Sequence, residues 1–418
     1  MPRGTNAPMV GGYNQSVILD AVRRAPSGLS QVELIEVTAL SKQTVSNITR
    51  RLLEDGWFTV VGATAAGRGK PRTVISVNAE RVHAVGVHLD PSITTATLLD
   101  LGGKTVATVS SAAVIDDDPR ASIARVATLV EKMIDESGVD RASITGVGIA
   151  APGPMNIEQG RLVSPPKLIG WDQFAVREAA GELFEYPVIV DKDMFAATTG
   201  ECWARDHADG DSMLFIYVGT GIGCGIAING NVVRGLSNNA GEIGHMVIDT
   251  QGTPCSCGRR GCLGRATDPH RLYEEAVASG LLSPRGEPHD FDAVHRGLIQ
   301  LRRLAEEGVP SAIVLMNRAA SALAEAARML VSLHDASLVV FGGPFWTGLS
   351  EHYLEVIRPA LANAPEVRSI LPRIESTILG DEVVAAGAAC LVFDAQFSTR
   401  LSAYQLAGSI PSTPSVAR

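Results

Sequence analysis

Apolar residues recur at helical spacing in three short windows near the start of the chain. Val17, Ile18, Ala21 and Val22 mark the first window, residues 14–25, and Pro26-Ser27-Gly28 breaks it. Ser30 is placed to cap a second helix, and Glu33 completes a capping box ahead of Leu34, Ile35 and Val37. Leu40 and Ser41 open a third helix carried by Val45, Ile48, Leu52 and Leu53, with Gly56 positioned to end it. Apolar runs at 57–61 and 74–77 then predict two strands around a glycine-rich loop. Three helices, the last two joined by a short turn, followed by strand–loop–strand, predict a winged helix-turn-helix over residues 12–79. Residues 1–11 are expected to be a flexible arm.

From Arg81 the pattern changes. Residues 83–89, 93–99 and 106–109 predict a meander, followed by a helix over 122–134 and a strand over 144–149. The order then repeats: a strand at 188–190, a helix at 194–204, and a second meander at 213–218, 225–228 and 232–234, with Asn229-Gly230 as its hairpin turn. Helices fill most of 269–334, with a polar loop at 283–290 in a helical insert, and a late strand covers 338–341. Two meanders, each tied to helices and a further strand, predict an α/β body of two related lobes with a cleft between them. That is a two-lobed actin/hexokinase-like ATPase fold, with lobes at about residues 80–192 and 193–395. The Ser-, Pro- and Ala-rich stretch 396–418 is expected to be mostly disordered.

Composition narrows the class. The chain has 418 residues, 45% hydrophobic and 19% charged, which excludes global disorder. No apolar run reaches the ~18 residues that span a bilayer, and the first ten residues lack the apolar core of a secretory signal. A soluble, cytoplasmic protein with no membrane partner is expected. The net charge of −9 argues against a chain coated in nucleic acid, yet residues 1–80 carry +3 and the remainder −12. A basic head on an acidic body fits a head that meets polyanions.

The third helix carries chemistry for that contact. Its early polar positions are Ser41, Lys42, Gln43, Thr44, Ser46 and Asn47, with Arg50 further on. The first turns of a recognition helix touch base edges, and Gln or Asn can pair bidentately with adenine. Lys42, Arg50 and Arg51 suit phosphates. In the loop of the wing, Arg68, Lys70 and Arg72 are placed to reach phosphate or a narrow minor groove. The expected partner is double-stranded DNA; the plain alternative is a solvated helix face.

Six cysteines divide into two groups. Cys202, Cys224 and Cys390 lie in apolar surroundings and read as buried small hydrophobes. Cys255, Cys257 and Cys262 fall within one glycine-rich loop, ten residues after His245. A Cys₃His set predicts a closed tetrahedral site for structural Zn2+, about one ion per chain. Gly219, Thr220, Gly221 and Gly223 follow an apolar strand, a turn that exposes backbone N–H groups to phosphate or merely packs tightly against a neighbour.

Four segments together resemble the ROK family (repressors, open reading frames, kinases). They are Gly148-Ile149-Ala150-Ala151-Pro152-Gly153-Pro154, Val218-Gly219-Thr220-Gly221-Ile222-Gly223, Asn239-Ala240-Gly241-Glu242-Ile243-Gly244-His245, and the loop from Cys255 to Leu263. The resemblance spans roughly residues 12–395 and implies a hexokinase-like fold, a structural zinc, and a homodimer or tetramer. Members with a winged helix resemble sugar-responsive transcription regulators; those without it are mostly sugar kinases.

Departures from the kinase pattern are informative. The family's first phosphate loop, Asp-x-Gly-Gly-Thr, stands here as Asp90-Pro91-Ser92-Ile93-Thr94, and Pro91 removes a backbone donor. Its Asn-Asp-x-Asn segment stands as Lys192-Asp193-Met194-Phe195, in which Asp193 matches the catalytic base. The family's sugar-binding Glu after the zinc loop is Gly264, and an Asn of an earlier segment is Lys167. The resemblance therefore implies an effector site around Lys167, Lys192, Asp193, Glu242 and His245, with no catalytic residue and no ATP/Mg2+ expected. The two lysines suit a phosphorylated or acidic sugar, or else pair with acids such as Asp191. The expected function is DNA-binding regulation, most simply repression, through a sugar-like effector and an imperfect-palindrome operator; a sugar kinase carrying a DNA-binding head is the alternative.

Overall fold

The computed structural model describes residues 7–64, 72–112, 115–165, 168–205, 211–284, 290–364 and 371–397. The head begins with α1 (Ala7–Arg23), so residues 7–11 are helical rather than part of a flexible arm. Gly11 and Gly12 each cost about 1 kcal/mol of helix propensity relative to alanine, and Pro8 falls in the first turn, where a missing N–H has no intrahelical partner to lose. Then come β1 (Leu29–Ser30), α2 (Gln31–Thr38), α3 (Lys42–Glu54), β2 (Phe58–Thr64) and β3 (Arg72–Val77). The Ser30 Oγ accepts the Glu33 N–H while the Glu33 carboxylate accepts the Ser30 N–H at 2.7 Å, the reciprocal cap expected from the sequence. Ala39, at φ 53°, turns the chain between α2 and α3. Ile18, Val22, Leu34, Val45, Leu52, Phe58 and Ile75 close the core of this unit.

The first lobe holds β4 (His83–Leu89), β5 (Thr94–Asp100), β6 (Thr105–Ser111), α4 (Pro119–Ser137), β7 (Ile144–Ala151), the small hairpin β8 (Met155–Asn156) and β9 (Arg161–Leu162), α5 (Val176–Gly181) and β10 (Val188–Lys192). Helix α6 (Asp193–Ala204) leads to the second lobe, with β11 (Ser212–Val218), β12 (Ile222–Ile228) and β13 (Asn231–Val232). After them come α7 (Leu263–Ala266), α8 (Pro269–Ala278), α9 (Phe291–Glu306), α10 (Pro310–His334), β14 (Leu338–Gly342), α11 (Ser350–Ala362), β15 (Arg373–Ser376) and α12 (Val383–Phe397).

The two five-stranded sheets share one topology. Their orders are β6-β5-β4-β7-β10 and β13-β12-β11-β14-β15: an antiparallel meander extended by two parallel strands. Strands β4, β7 and β11 are almost wholly buried because helices cover both faces. Helix α12 lies on the first sheet backbone to backbone: a Cβ on Gly86 would sit 1.9 Å from the Ala385 carbonyl oxygen, and one on Gly148 1.8 Å from that of Ala388. Helices α6 and α12 pack equally closely through Gly200 and Gly387.

The head is seated on the body. Trp57 meets Phe397 edge to face, with centroids 5.4 Å apart, and the Arg81 guanidinium lies 5.5 Å from the Trp57 ring. The Arg23 guanidinium lies 3.8 Å above the Trp203 ring and donates to the Trp203 carbonyl at 2.9 Å.

Candidate functional site

Helix α3 presents its polar row to solvent. Val45, Ile48 and Leu52 point into the head core, which leaves Lys42, Gln43, Asn47 and Arg50 exposed at helical spacing. The Ser41 Oγ caps the helix by accepting the Thr44 N–H, and the two hydroxyls lie 2.9 Å apart, so both are engaged at the helix start. Ser46 is half-buried. Gln31 bonds Thr49 at 3.1 Å and fixes α2 against α3. Arg51 turns back to Gln15 of α1 rather than outward. Arg72 is exposed at the start of β3, while Arg68 and Lys70 lie outside the described residues.

Between the lobes, the end of β10 and the start of α6 bring Lys192 and Asp193 to the cleft. Lys192 is completely buried, and its ammonium donates to Glu242 Oε1 at 2.5 Å and to Asn239 Oδ1 at 3.3 Å. The pairing with Asp191 does not occur. Adjacent strand residues point to opposite faces, and Asp191 instead receives both arms of the buried Arg234, at 2.8 and 2.5 Å. Lys192 and Arg234 both lie near the ring of Phe195, at 5.4 and 5.0 Å. Burial pushes the Asp193 carboxyl up to about 7, although the Lys192 charge and the Met194 N–H pull the other way. Lys167 lies outside the described residues.

The two strand turns that would flank a nucleotide's phosphates are bonded to each other. The Thr220 hydroxyl reaches both carboxylate oxygens of Asp90, at 2.6 and 2.8 Å, and the Ser92 hydroxyl lies 3.1 Å from it. The Tyr217 hydroxyl approaches Asp90 at 3.5 Å, and burial drives its own titration well above the ordinary tyrosine range. The Ser92 N–H turns inward to Asp90 at 2.8 Å. Gly223 packs over Met194 and Gly225 over Thr198, both on α6, so close packing accounts for these two glycines. Sequence reasoning did not single out Tyr217, Asn239 or Arg234. The available signals were a lone arginine after Val232-Val233 and the place of Asn239 at the head of a segment that matches the family.

The fourth cluster is His245, Cys255, Cys257 and Cys262, whose ligand atoms all lie within 4.8 Å of one another. The His245 Nδ1–Cys255 Sγ and Cys257 Sγ–Cys262 Sγ separations are both 3.6 Å. Tetrahedral zinc with bonds of about 2.3 Å sets sulfurs about 3.8 Å apart, so the donors fit. The loop needs glycine at 261: φ is +67° and a Cβ would strike the Asp249 carbonyl oxygen at 1.5 Å. Hydrogen bonds from the Arg259 backbone and guanidinium draw the Cys257 thiol down to about 6. Cys202, Cys224 and Cys390 are buried, as their surroundings imply.

A winged helix joined to a duplicated actin/hexokinase-like body is the class these features define. A model of the ROK family matches residues 85–395 and one of the MarR family residues 12–69; the chain belongs to the ROK family. It is 24% identical over 374 residues to a xylose repressor of Caldicellulosiruptor bescii, covering 88% of this chain and 93% of that one. It is also 30% identical over 254 residues to a glucokinase of Halalkalibacterium halodurans, 58% of this chain and 76% of that one. Among solved structures, a ROK family transcriptional regulator homologous to the E. coli MLC protein superposes with a TM-score of 0.69 at 21% identity, over 93% of this chain and 98% of that chain.

Proposed function

We propose that this chain is a DNA-binding transcriptional repressor whose body takes a sugar-like effector. One observation carries the reading: the polar row of α3 stands free on the head, while the first turn of the body lacks the kinase glycines, has no backbone donor at Pro91, and turns the Ser92 N–H inward to Asp90. Asp90 itself matches the kinase loop; what is lost beside it are the two glycines, replaced by Ser92 and Ile93, and the donor at Pro91. The similarity to a xylose repressor along most of both chains supports the same reading. A homodimer would set two α3 helices in successive major grooves of an imperfect palindrome. Selection of bound sequences from a random DNA pool by the intact protein tests this; a shared palindrome is expected, and no enrichment over a head-deleted control would overturn it.

The effector is a neutral sugar rather than a phosphorylated or acidic one. Lys192 already has Glu242 and Asn239 as partners, and Asp193 and Asp90 add acid to the cleft. Calorimetry with D-xylose, D-glucose and their phosphates tests the point; phosphates binding more than about tenfold tighter than the parent sugars would reverse it.

The zinc belongs to the loop of Cys255, Cys257 and Cys262 with His245, closed to substrate and structural in role. Purified protein is expected to hold about one zinc per chain and to lose thermal stability with chelator. No described helix is long and apolar enough to cross a membrane, and the protein's place is with DNA in the cytoplasm.

A second reading, a sugar kinase with a DNA-binding head, draws on Asp193: a carboxyl titrating at about 7 suits a general base. A coupled assay across sugars with ATP decides it, and turnover comparable to ordinary kinases would bring it forward.

A further inference from the structure

We propose that α6 is a rigid lever between the cleft and the head, and that the Arg23–Trp203 contact is the joint at which it acts. The inference rests on the regulator reading above and adds the route by which the cleft reaches the DNA-binding unit.

The near end of the lever is built into the cleft. Lys192 and Asp193 start α6, and Lys192 ties it to Glu242 and Asn239 of the second lobe. The next residue, Met194, packs over Gly223 and Gly241, and one turn on Thr198 fills the space over Gly225. Any rearrangement of the segment 239–242 therefore displaces the first turn of α6.

The helix between the two ends cannot absorb that displacement. Every residue from Met194 to Trp203 is buried. Gly200 and Gly387 meet backbone to backbone, leaving no soft side chain between α6 and α12. Glu201 is fully buried and anchored to Thr377, the Ile378 N–H and Arg205.

The far end meets the head. Trp203 stacks on Phe393 of α12 at 5.7 Å and carries Arg23 of α1 on its ring. The Arg23 side chain is only 4% exposed and is held by both the Trp203 carbonyl and Asp20. A buried guanidinium stacked on an indole and held by the Trp203 carbonyl and Asp20 is specific to one seating of the head. A second contact, Trp57 on Phe397, ends the partner helix α12 at the same unit. The head thus sits on the ends of two helices that move as one body.

Hydrogen–deuterium exchange on the intact chain tests the lever without an effector. Lys192→Met breaks the cleft ion pair, and Glu242→Gln weakens it from its exposed side should the first variant fold poorly. Each is expected to change exchange in residues 12–23 of α1 by about threefold or more. With Arg23→Ala, or with Trp203→Phe from the body side, the same cleft substitutions should leave α1 unchanged. The proposal is overturned if α1 does not respond to either cleft substitution, or responds equally with and without Arg23. The sequence selection described above is a separate readout. Its failure would remove the regulator reading but not the lever, and silence in α1 alongside an enriched palindrome would remove only the lever.

Discussion

The turns after the first strand of each sheet occupy equivalent places in a duplicated topology, yet they have diverged. In the first lobe, Asp90-Pro91-Ser92 has lost flexibility and one backbone donor, and its carboxylate faces the cleft. In the second, Gly219 to Gly223 remains glycine-rich, and its Thr220 is bonded to that carboxylate. The Asp90–Thr220 bond is a latch between two residues that match the kinase pattern, so the divergence lies at positions 91–93 beside it. The surviving glycines are also not evidence of phosphate binding by themselves, since Gly223 and Gly225 are required by the close approach of α6.

The sharpest break in this comparison comes from the glycines. Gly225→Ala would place a Cβ 1.6 Å from the Thr198 hydroxyl, and about 3 kcal/mol of stability should be lost in urea unfolding. Gly221→Ala meets open space and should stay within about 0.5 kcal/mol. If both cost the same, packing does not explain the motif.

The latch should be next in size. Thr220→Val leaves the buried Asp90 without its shortest partner and should cost about 2 kcal/mol, against about 0.5 kcal/mol for Ser92→Ala, in the same unfolding experiment. Equal effects would mean that the lobes are held elsewhere.

Asp193 sharpens the comparison through pH. An unfolded aspartate titrates near 3.9, whereas this one is raised to about 7. Between those values the folded chain keeps a proton that the unfolded chain has lost, so its contribution to stability declines as pH rises from about 4 to about 7. Melting temperatures should show that decline in the native protein and a flatter profile in Asp193→Asn. Last, replacing Ser92 and Ile93 by glycine should yield no measurable phosphoryl transfer, because Pro91 and the changed positions Lys192 and Gly264 remain; turnover in the double variant would show that loop flexibility alone was limiting.

Local chemistry was legible in the chain wherever a short segment decided the outcome. The reciprocal cap of Ser30 and Glu33, the apolar stripe of α3, and the spacing of Cys255, Cys257 and Cys262 all act within ten residues. Helix α12 left no such signal. It is buried from Val383 to Asp394, so its apolar residues follow no stripe, and its small residues are there for backbone packing that only the assembled sheet reveals. Helix α11 and strand β15 were likewise missed. Lys192 shows the same limit in a site. Its neighbour Asp191 is one bond away along the chain but on the other face, and its actual partner Glu242 lies fifty residues on.

The stacking of Trp57 against Phe397 has a temporal consequence. The head is the first described unit to leave the ribosome, and its core is complete by β3. Trp203 emerges much later, and Phe397 closes the last described helix. A nascent chain whose head has folded therefore carries α3 with no seat for that head to rest on. During that interval the head lacks both of its contacts with the body, and its seat is complete only when translation has delivered α12.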